Sequence, residues 1–150
     1  MIIWINGAFG AGKTTTAFEL CRRLPNSFVY DPENVGYFIR KNSPRLFSAG
    51  DFQDIPLWRE TNYKMLKMIA GQYDGTIIAP MTLVNPHYFD EIIGALRRDG
   101  IDVQHYILYA SRETLLKRLR LRSIRMLGSE SFALRSIDRC LHSFDNLITE

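Results

Sequence analysis

The most constraining stretch of this chain is Gly7-Ala8-Phe9-Gly10-Ala11-Gly12-Lys13-Thr14, which reads G-x-x-x-x-G-K-T. Before it, Met1-Ile2-Ile3-Trp4-Ile5-Asn6 is a short run of β-branched and aromatic residues, the pattern of a buried strand. After it, Thr15 to Leu24 carries apolar residues at 17, 20, 21 and 24, the spacing of an amphipathic helix. A glycine-rich turn that merely happened to precede Lys-Thr would not need that context. Strand, glycine-rich loop and helix together make a cradle for phosphate. Glycines at 7, 10 and 12 let the backbone turn its N–H groups toward anionic oxygens, and the helix aims its positive end at the same point. Lys13 is expected to reach the outer phosphates, and the Thr14 hydroxyl is placed to ligate Mg²⁺. Ala8, Phe9, Ala11 and Thr15 complete the stretch expected to contact the nucleotide. The reading implies ATP with Mg²⁺.

At 150 residues the chain is long enough for one domain, 1–150, around a single core. Its net charge of +3 suits an anionic small ligand and is too weak to argue for DNA or RNA. Cys21 and Cys140 give no disulfide framework and no metal spacing, and Cys21 falls on the apolar side of the first helix. His87, His105 and His142 form no ligand pattern. No run reaches transmembrane length, and no cleavable leader precedes the first strand, so a cytoplasmic protein is expected where ATP is found. Peripheral membrane contact and oligomeric state stay open.

Further along, Pro25-Asn26 ends the first helix and Ser27 to Tyr30 reads as a second strand running into Asp31-Pro32-Glu33. A carboxylate at the carboxyl end of a strand lies on the ligand edge of an α/β sheet. Residues 34–41 predict a short helix, 42–54 a loop, and 55–73 the longest helix, with Trp58, Asn62, Met65, Leu66, Ile69 and Tyr73 on one stripe. A third strand over 75–80 is apolar throughout. A helix over 86–99 starts at Pro86 and stops at Gly100. A fourth strand over 102–109 precedes Ser111 as a helix cap. The next helix, from Arg112, places Arg118 and Arg122 four residues apart on one face. Like charges at that spacing repel. They read either as a solvated basic face or as a clamp on phosphate, and the loop at residues 7–14 favours the clamp. A break over 126–131 and a last helix over 132–144, carrying Arg135 and Arg139, follow.

Four strands alternating with helices predict a parallel, doubly wound α/β sheet with helices on both faces. Within phosphate-loop folds, a regulatory GTPase is excluded for want of its switch and base-reading motifs. The third strand ends Ala79-Pro80-Met81-Thr82 without a Walker-B Asp, which argues against motor and transporter ATPases. What remains is a nucleotide-kinase-like plan: phosphate loop, carboxylate after strand two, and an Arg-rich lid in which Arg118, Arg122 and Arg139 face the nucleotide.

The phosphate-loop stretch from Met1, Tyr30-Asp31-Pro32-Glu33, Asp51-Phe52-Gln53, Pro56-Leu57-Trp58-Arg59, Pro80-Met81-Thr82, Glu113 to Arg120, and Ile137-Asp138-Arg139-Cys140 together closely resemble the tunicamycin-resistance ATP-binding proteins of bacteria. More distantly the chain is similar to chloramphenicol phosphotransferase, shikimate kinase and gluconate kinase. The resemblance implies a P-loop NTPase fold of the nucleoside-monophosphate-kinase type and resistance to a nucleoside antibiotic. It also implies a fifth strand and final helix that this sequence would lack. In such kinases a carboxylate after strand two contacts the acceptor hydroxyl, and Asp31 matches it, although Asp-Pro-Glu is equally a helix start. Arg40, Gln53, Trp58 and Arg59 match the region that holds the acceptor. Trp58 reads equally as core. Arg59, one step off the stripe, is expected toward the cleft, and Thr82 either touches substrate or ends its strand. The catalytic set is then Lys13, Asp31, Arg118 and Arg122. The chemistry is either phosphoryl transfer to a small-molecule, nucleoside-antibiotic-like acceptor, with an ordinary nucleotide kinase as a variant, or ATP-dependent sequestration without transfer.

Overall fold

A computed structural model describes residues 1–44, 50–123 and 130–147, with side chains over 1–44, 50–121 and 136–144. The apolar runs form four strands, β1 (Ile2–Gly7), β2 (Ser27–Val29), β3 (Thr76–Pro80) and β4 (Val103–Leu108). All pair in parallel, in the order β2-β3-β1-β4. The two inner strands are the most continuously apolar, because a parallel strand covered on both faces has no solvated side. Ile3 lies opposite Ile78 on β3 and Gln104 on β4.

The connections are helical: α1 (Lys13–Arg23), α2 (Glu33–Lys41), α3 (Pro56–Gln72), α4 (Pro86–Phe89), α5 (Ala95–Arg98), α6 (Arg112–Ser123) and α7 (Glu130–Leu147). They cover both faces of the sheet, as expected for a doubly wound fold. On one face Ile2, Trp4, Leu66, Ile77, Ile92 and Leu96 form the main core beneath α3 and α5. On the other, Ile5, Ala17 and Ile78 pack under α1. A third cluster seats α6 and α7 on the glycine-rich loop, with Leu115, Leu119, Ile137, Cys140 and Phe144 around Ala8.

Three local features differ from the sequence reading. The helix expected over 86–99 widens into a π-helical segment, Asp90–Gly94, between α4 and α5. The apolar positions 89, 92, 93 and 96 fit a regular helix equally well, so periodicity does not show it. On α3 the buried row is Trp58, Asn62 and Leu66, the i, i+4 series. Met65 is turned out and Arg59 is buried instead. Tyr30 lies just beyond β2, although its N–H still donates to Ile78 O. Ser111 does cap, its Oγ accepting from the Thr114 N–H at 3.3 Å. The break expected over 126–131 falls almost wholly outside the described residues, as do the Arg122 and Arg135 side chains.

Candidate functional site

The loop between β1 and α1 lies at the carboxyl edge of the sheet, where ligands of open α/β folds bind. Gly7, Gly10 and Gly12 all have positive φ, at 152°, 85° and 100°. At Gly7 space is decisive as well: a Cβ there would stand 2.9 Å from Leu108 O, so only glycine lets the end of β1 run this close to β4. No side chain caps α1 and no acidic residue stands in its first turn, so its N-terminus retains its anion-binding character. The Lys13 ammonium folds back over the loop. It donates to Gly7 O at 2.9 Å and Ala8 O at 3.1 Å and lies 5.6 Å from the centre of the Phe9 ring. From α6, Arg118 reaches the same loop, its Nη1 3.3 Å from both Gly10 O and Ala11 O.

The loop is braced from behind by a residue that sequence reading had taken only as strand. Asn6 is fully buried. Its Oδ1 accepts from the N–H groups of Gly7 and Leu83, each at 2.9 Å. Its Nδ2 donates to Leu83 O at 2.7 Å and meets His105 Nε2 at 3.1 Å. A polar residue closing an apolar strand just before the first glycine was the available signal. Beside it, Trp4 Nε1 donates to Met81 O, and the Thr82 hydroxyl donates to Gly7 O at 2.7 Å. Thr82 thus meets the loop where a Walker-B carboxylate would be expected. Gln53 continues the chain, its amide nitrogen donating to Thr82 O at 2.8 Å.

Gln53 belongs to a short 3-10 turn, Phe52–Asp54, whose N–H at Gln53 is held by Asp51 Oδ1 at 3.0 Å. Asp51 Oδ2 faces Arg139 on α7 at 3.8 Å. Burial pushes the Asp51 carboxyl above the usual carboxylate range. Asp51 entered the sequence reading only as part of a motif; an isolated acid in a loop carries no signal of burial.

The acceptor-side candidates divide. Gln53 and Thr82 are tied to the loop as above. Trp58 is fully buried and its indole donates to Pro32 O at 3.0 Å, so it braces the start of α2. Arg59 lies beneath the cleft: it donates to Gln53 O, pairs with Glu91 and stacks 4.2 Å from the centre of the Tyr88 ring. Arg40 donates to Gly50 O at 2.7 Å and stacks on Phe52. Asp31 takes the capping position, its Oδ1 accepting from the Glu33 N–H at 2.9 Å, and it borders an apolar groove of about 360 Å³ with Phe28, Phe38 and Met65. Burial, with the Asp31 charge beside it, pushes the neighbouring Tyr30 phenol up to about 12. Among the described residues no group of three His, Cys, Asp or Glu side chains is arranged to hold a metal, and Thr14 stands in the first turn of α1.

His105 makes this bracing sensitive to acid. Its ring nitrogen accepts from Asn6, so it is neutral, and burial, with the Arg97 charge, holds its pKa at about 4. The unfolded ring titrates near 6.5, so between those values the unfolded chain binds the extra proton. The contribution is complete above about pH 6.5 and is lost as pH falls through about 4, on the order of 3 kcal/mol in all. His105→Gln, which keeps an acceptor for Asn6, is therefore expected to lose less stability than the parent between about pH 7.5 and about pH 4.5. Equal losses in urea midpoints would show that His105 does not titrate in this way.

The chain matches the AAA domain family over residues 2–147 and belongs to it. A tunicamycin resistance protein of Deinococcus radiodurans is 30% identical, with a TM-score of 0.75 over 96% of this chain and 79% of that one, and the two are members of one family. Shikimate kinase of Bacteroides thetaiotaomicron (21% identity, TM-score 0.64, 99% and 82% of the two chains) shares the fold. So does a gluconokinase of Sinorhizobium meliloti 1021 (14%, 0.64, 92% and 73%). No curated protein sequence matches significantly. The chain is a P-loop nucleotide-binding protein of kinase-like fold. No helix among the described residues is long and apolar enough to cross a membrane.

Proposed function

We propose, with this family as the premise, that the protein is a Mg-ATP-dependent phosphotransferase acting on a hydroxyl of a small, nucleoside-antibiotic-like acceptor, and that its host gains resistance to tunicamycin. The observation that carries the reading is the convergence of Lys13 and Arg118 on the carbonyls of one uncapped glycine loop. Both cations reach neutral loop carbonyls, and a phosphate chain offers them stronger, charged acceptors. Lys13 then moves to the outer phosphates, and Arg118, with Arg122 and Arg139, answers the charge on the transferring group. Bound Mg²⁺ would be held through the Thr14 hydroxyl and supply charge neutralisation between the outer phosphates. Loop N–H groups from Ala8 to Thr15 position the nucleotide. Asp31 keeps one oxygen on the Glu33 N–H and offers the other to the acceptor, while Arg40, Gln53, Trp58, Arg59 and Thr82 shape and support the acceptor side. A cytoplasmic site of action fits the need for ATP.

The test is mass spectrometry of tunicamycin after incubation with the protein and Mg-ATP. A gain of one phosphate group is expected, with ADP formed in equal amount. Unmodified drug that is retained by the protein only when ATP is present would overturn transfer in favour of sequestration.

A further inference from the structure

We propose that Asp51, rather than Asp31, is the group that takes the proton from the acceptor hydroxyl. This rests on the phosphotransferase reading and adds the identity of its base.

Two independent connections bring Asp51 to the phosphate loop. Through its own turn, Gln53 donates to Thr82 O and Thr82 donates to Gly7 O, the carbonyl on which Lys13 also rests. Through α7, Asp51 faces Arg139, and the next residue, Cys140, packs in the cluster around Ala8. Burial raises the Cys140 thiol, and the charges of Arg139, Lys13 and Asp51 act on it more weakly. Asp31 instead borders the apolar groove with Phe28, Phe38 and Met65; each of the two carboxylates gives one oxygen to a backbone N–H two residues on, so position separates them.

The state of the carboxylate fits the task. Its side chain is 15% exposed, and its ion pair with Arg139, at 3.8 Å, is the longest among the described residues, the others being 3.1 Å or shorter. That separation exceeds a hydrogen bond, so the guanidinium supplies a field without occupying the oxygen. Among the described residues, the charged or titratable groups that act on Asp51 or feel its charge are Arg139 and Cys140 on α7, Arg40 on α2, Tyr88 on α4 and Asp54 on its own turn. Asp54 is already engaged by the Tyr88 hydroxyl at 2.9 Å. Burial raises Asp51 toward the range in which a base both ionises and binds a proton usefully. In the step, the acceptor oxygen bonds to the γ-phosphorus as the bond to the β-bridging oxygen breaks. ADP leaves, the hydroxyl proton passes to Asp51, and solvent later removes it.

Asp51→Asn keeps the size and the cap on Gln53, since Asn caps as well as Asp. With tunicamycin as acceptor it is expected to lower kcat by on the order of 10²–10⁴-fold, to leave ATP affinity within about 2-fold by calorimetry, and to abolish the acid limb of the kcat profile. Asp31→Asn is expected to raise KM more than it lowers kcat and to retain that limb. Asp51→Asn with kcat within about 10-fold of the parent and an intact acid limb would overturn the assignment. If the parent phosphorylates no tunicamycin, the functional reading itself fails, and Asp51 is judged on water as acceptor. In that case slowed Mg-ATP hydrolysis in Asp51→Asn supports it, and unchanged or absent hydrolysis in the parent-variant pair overturns it.

Discussion

Lys13→Ala is expected to weaken ATP binding by about 1.5–3 kcal/mol, roughly 10- to 150-fold, and to cut turnover by on the order of a further 10²–10³-fold. The ammonium's present partners, Gly7 O and Ala8 O, are neutral carbonyls of the loop it is to serve. Once it is removed, Gly7 O still accepts from the Thr82 hydroxyl. The loss therefore falls on the ligand. It grows toward the transition state, where charge shifts over the oxygens of the transferring group and a positioned cation matters most. Calorimetry with a non-hydrolysable ATP analogue reads the first part, and single-turnover phosphate transfer reads the second. An unchanged dissociation constant would show that Lys13 is not a phosphate ligand.

Asn6→Leu is expected to destabilise the fold by on the order of 3–6 kcal/mol, although it replaces a polar residue by an apolar one of the same branching in a fully buried place. Each end of the amide is used twice: the oxygen by two backbone N–H groups, the nitrogen by Leu83 O and His105. Leucine removes the partners of buried groups without replacing them, and each abandoned group costs about 1–3 kcal/mol. Urea unfolding of parent and variant measures the difference. A variant within about 1 kcal/mol of the parent would mean that Gly7 and Leu83 find other partners. The same substitution should loosen ATP binding, since the amide of Gly7 fixes the start of the loop.

The sheet and the phosphate loop were legible because each rests on local pattern. Apolar runs bounded by turns mark parallel strands, and G-x-x-x-x-G-K-T fixes backbone geometry by residue type alone. The resemblance extended the reading to family and fold class. What sequence did not reveal is long-range. Asn6 and Leu83 are brought together by the β1–β3 pairing, so the role of Asn6 exists only once the sheet order is known. Arg59 was expected toward the cleft because it lies one step off the α3 stripe. Its burial depends on Glu91 and Tyr88, which arrive from α4 and the π-helical segment. Asp51 has a similar history: its charged partner, Arg139, comes from α7, far away in sequence. Trp58 and Asp31 could each be read in two ways, and the structure shows one side of both, with Trp58 in the core and Asp31 at the start of α2.

The hydrogen bonds that run from Gly7 through Thr82 to Gln53, with Asn6 holding Gly7 and Leu83 beside them, bear on entropy as well as enthalpy. They fasten the floor of the nucleotide site to the turn on the acceptor side before any ligand arrives. Association normally loses free energy in ordering the groups that form a site, about 0.5–1.5 kcal/mol for each side chain immobilised. Here that ordering of the floor is already complete in the fold, carried by buried strands rather than by the ligand. The remaining freedom lies with Lys13, Arg118 and Arg139, long side chains that must leave one partner to meet another. Such a site is preorganised in its backbone and adaptable in its charges. On the proposed phosphotransferase reading, it holds the nucleotide in one place while the cations follow the phosphoryl group from donor to acceptor.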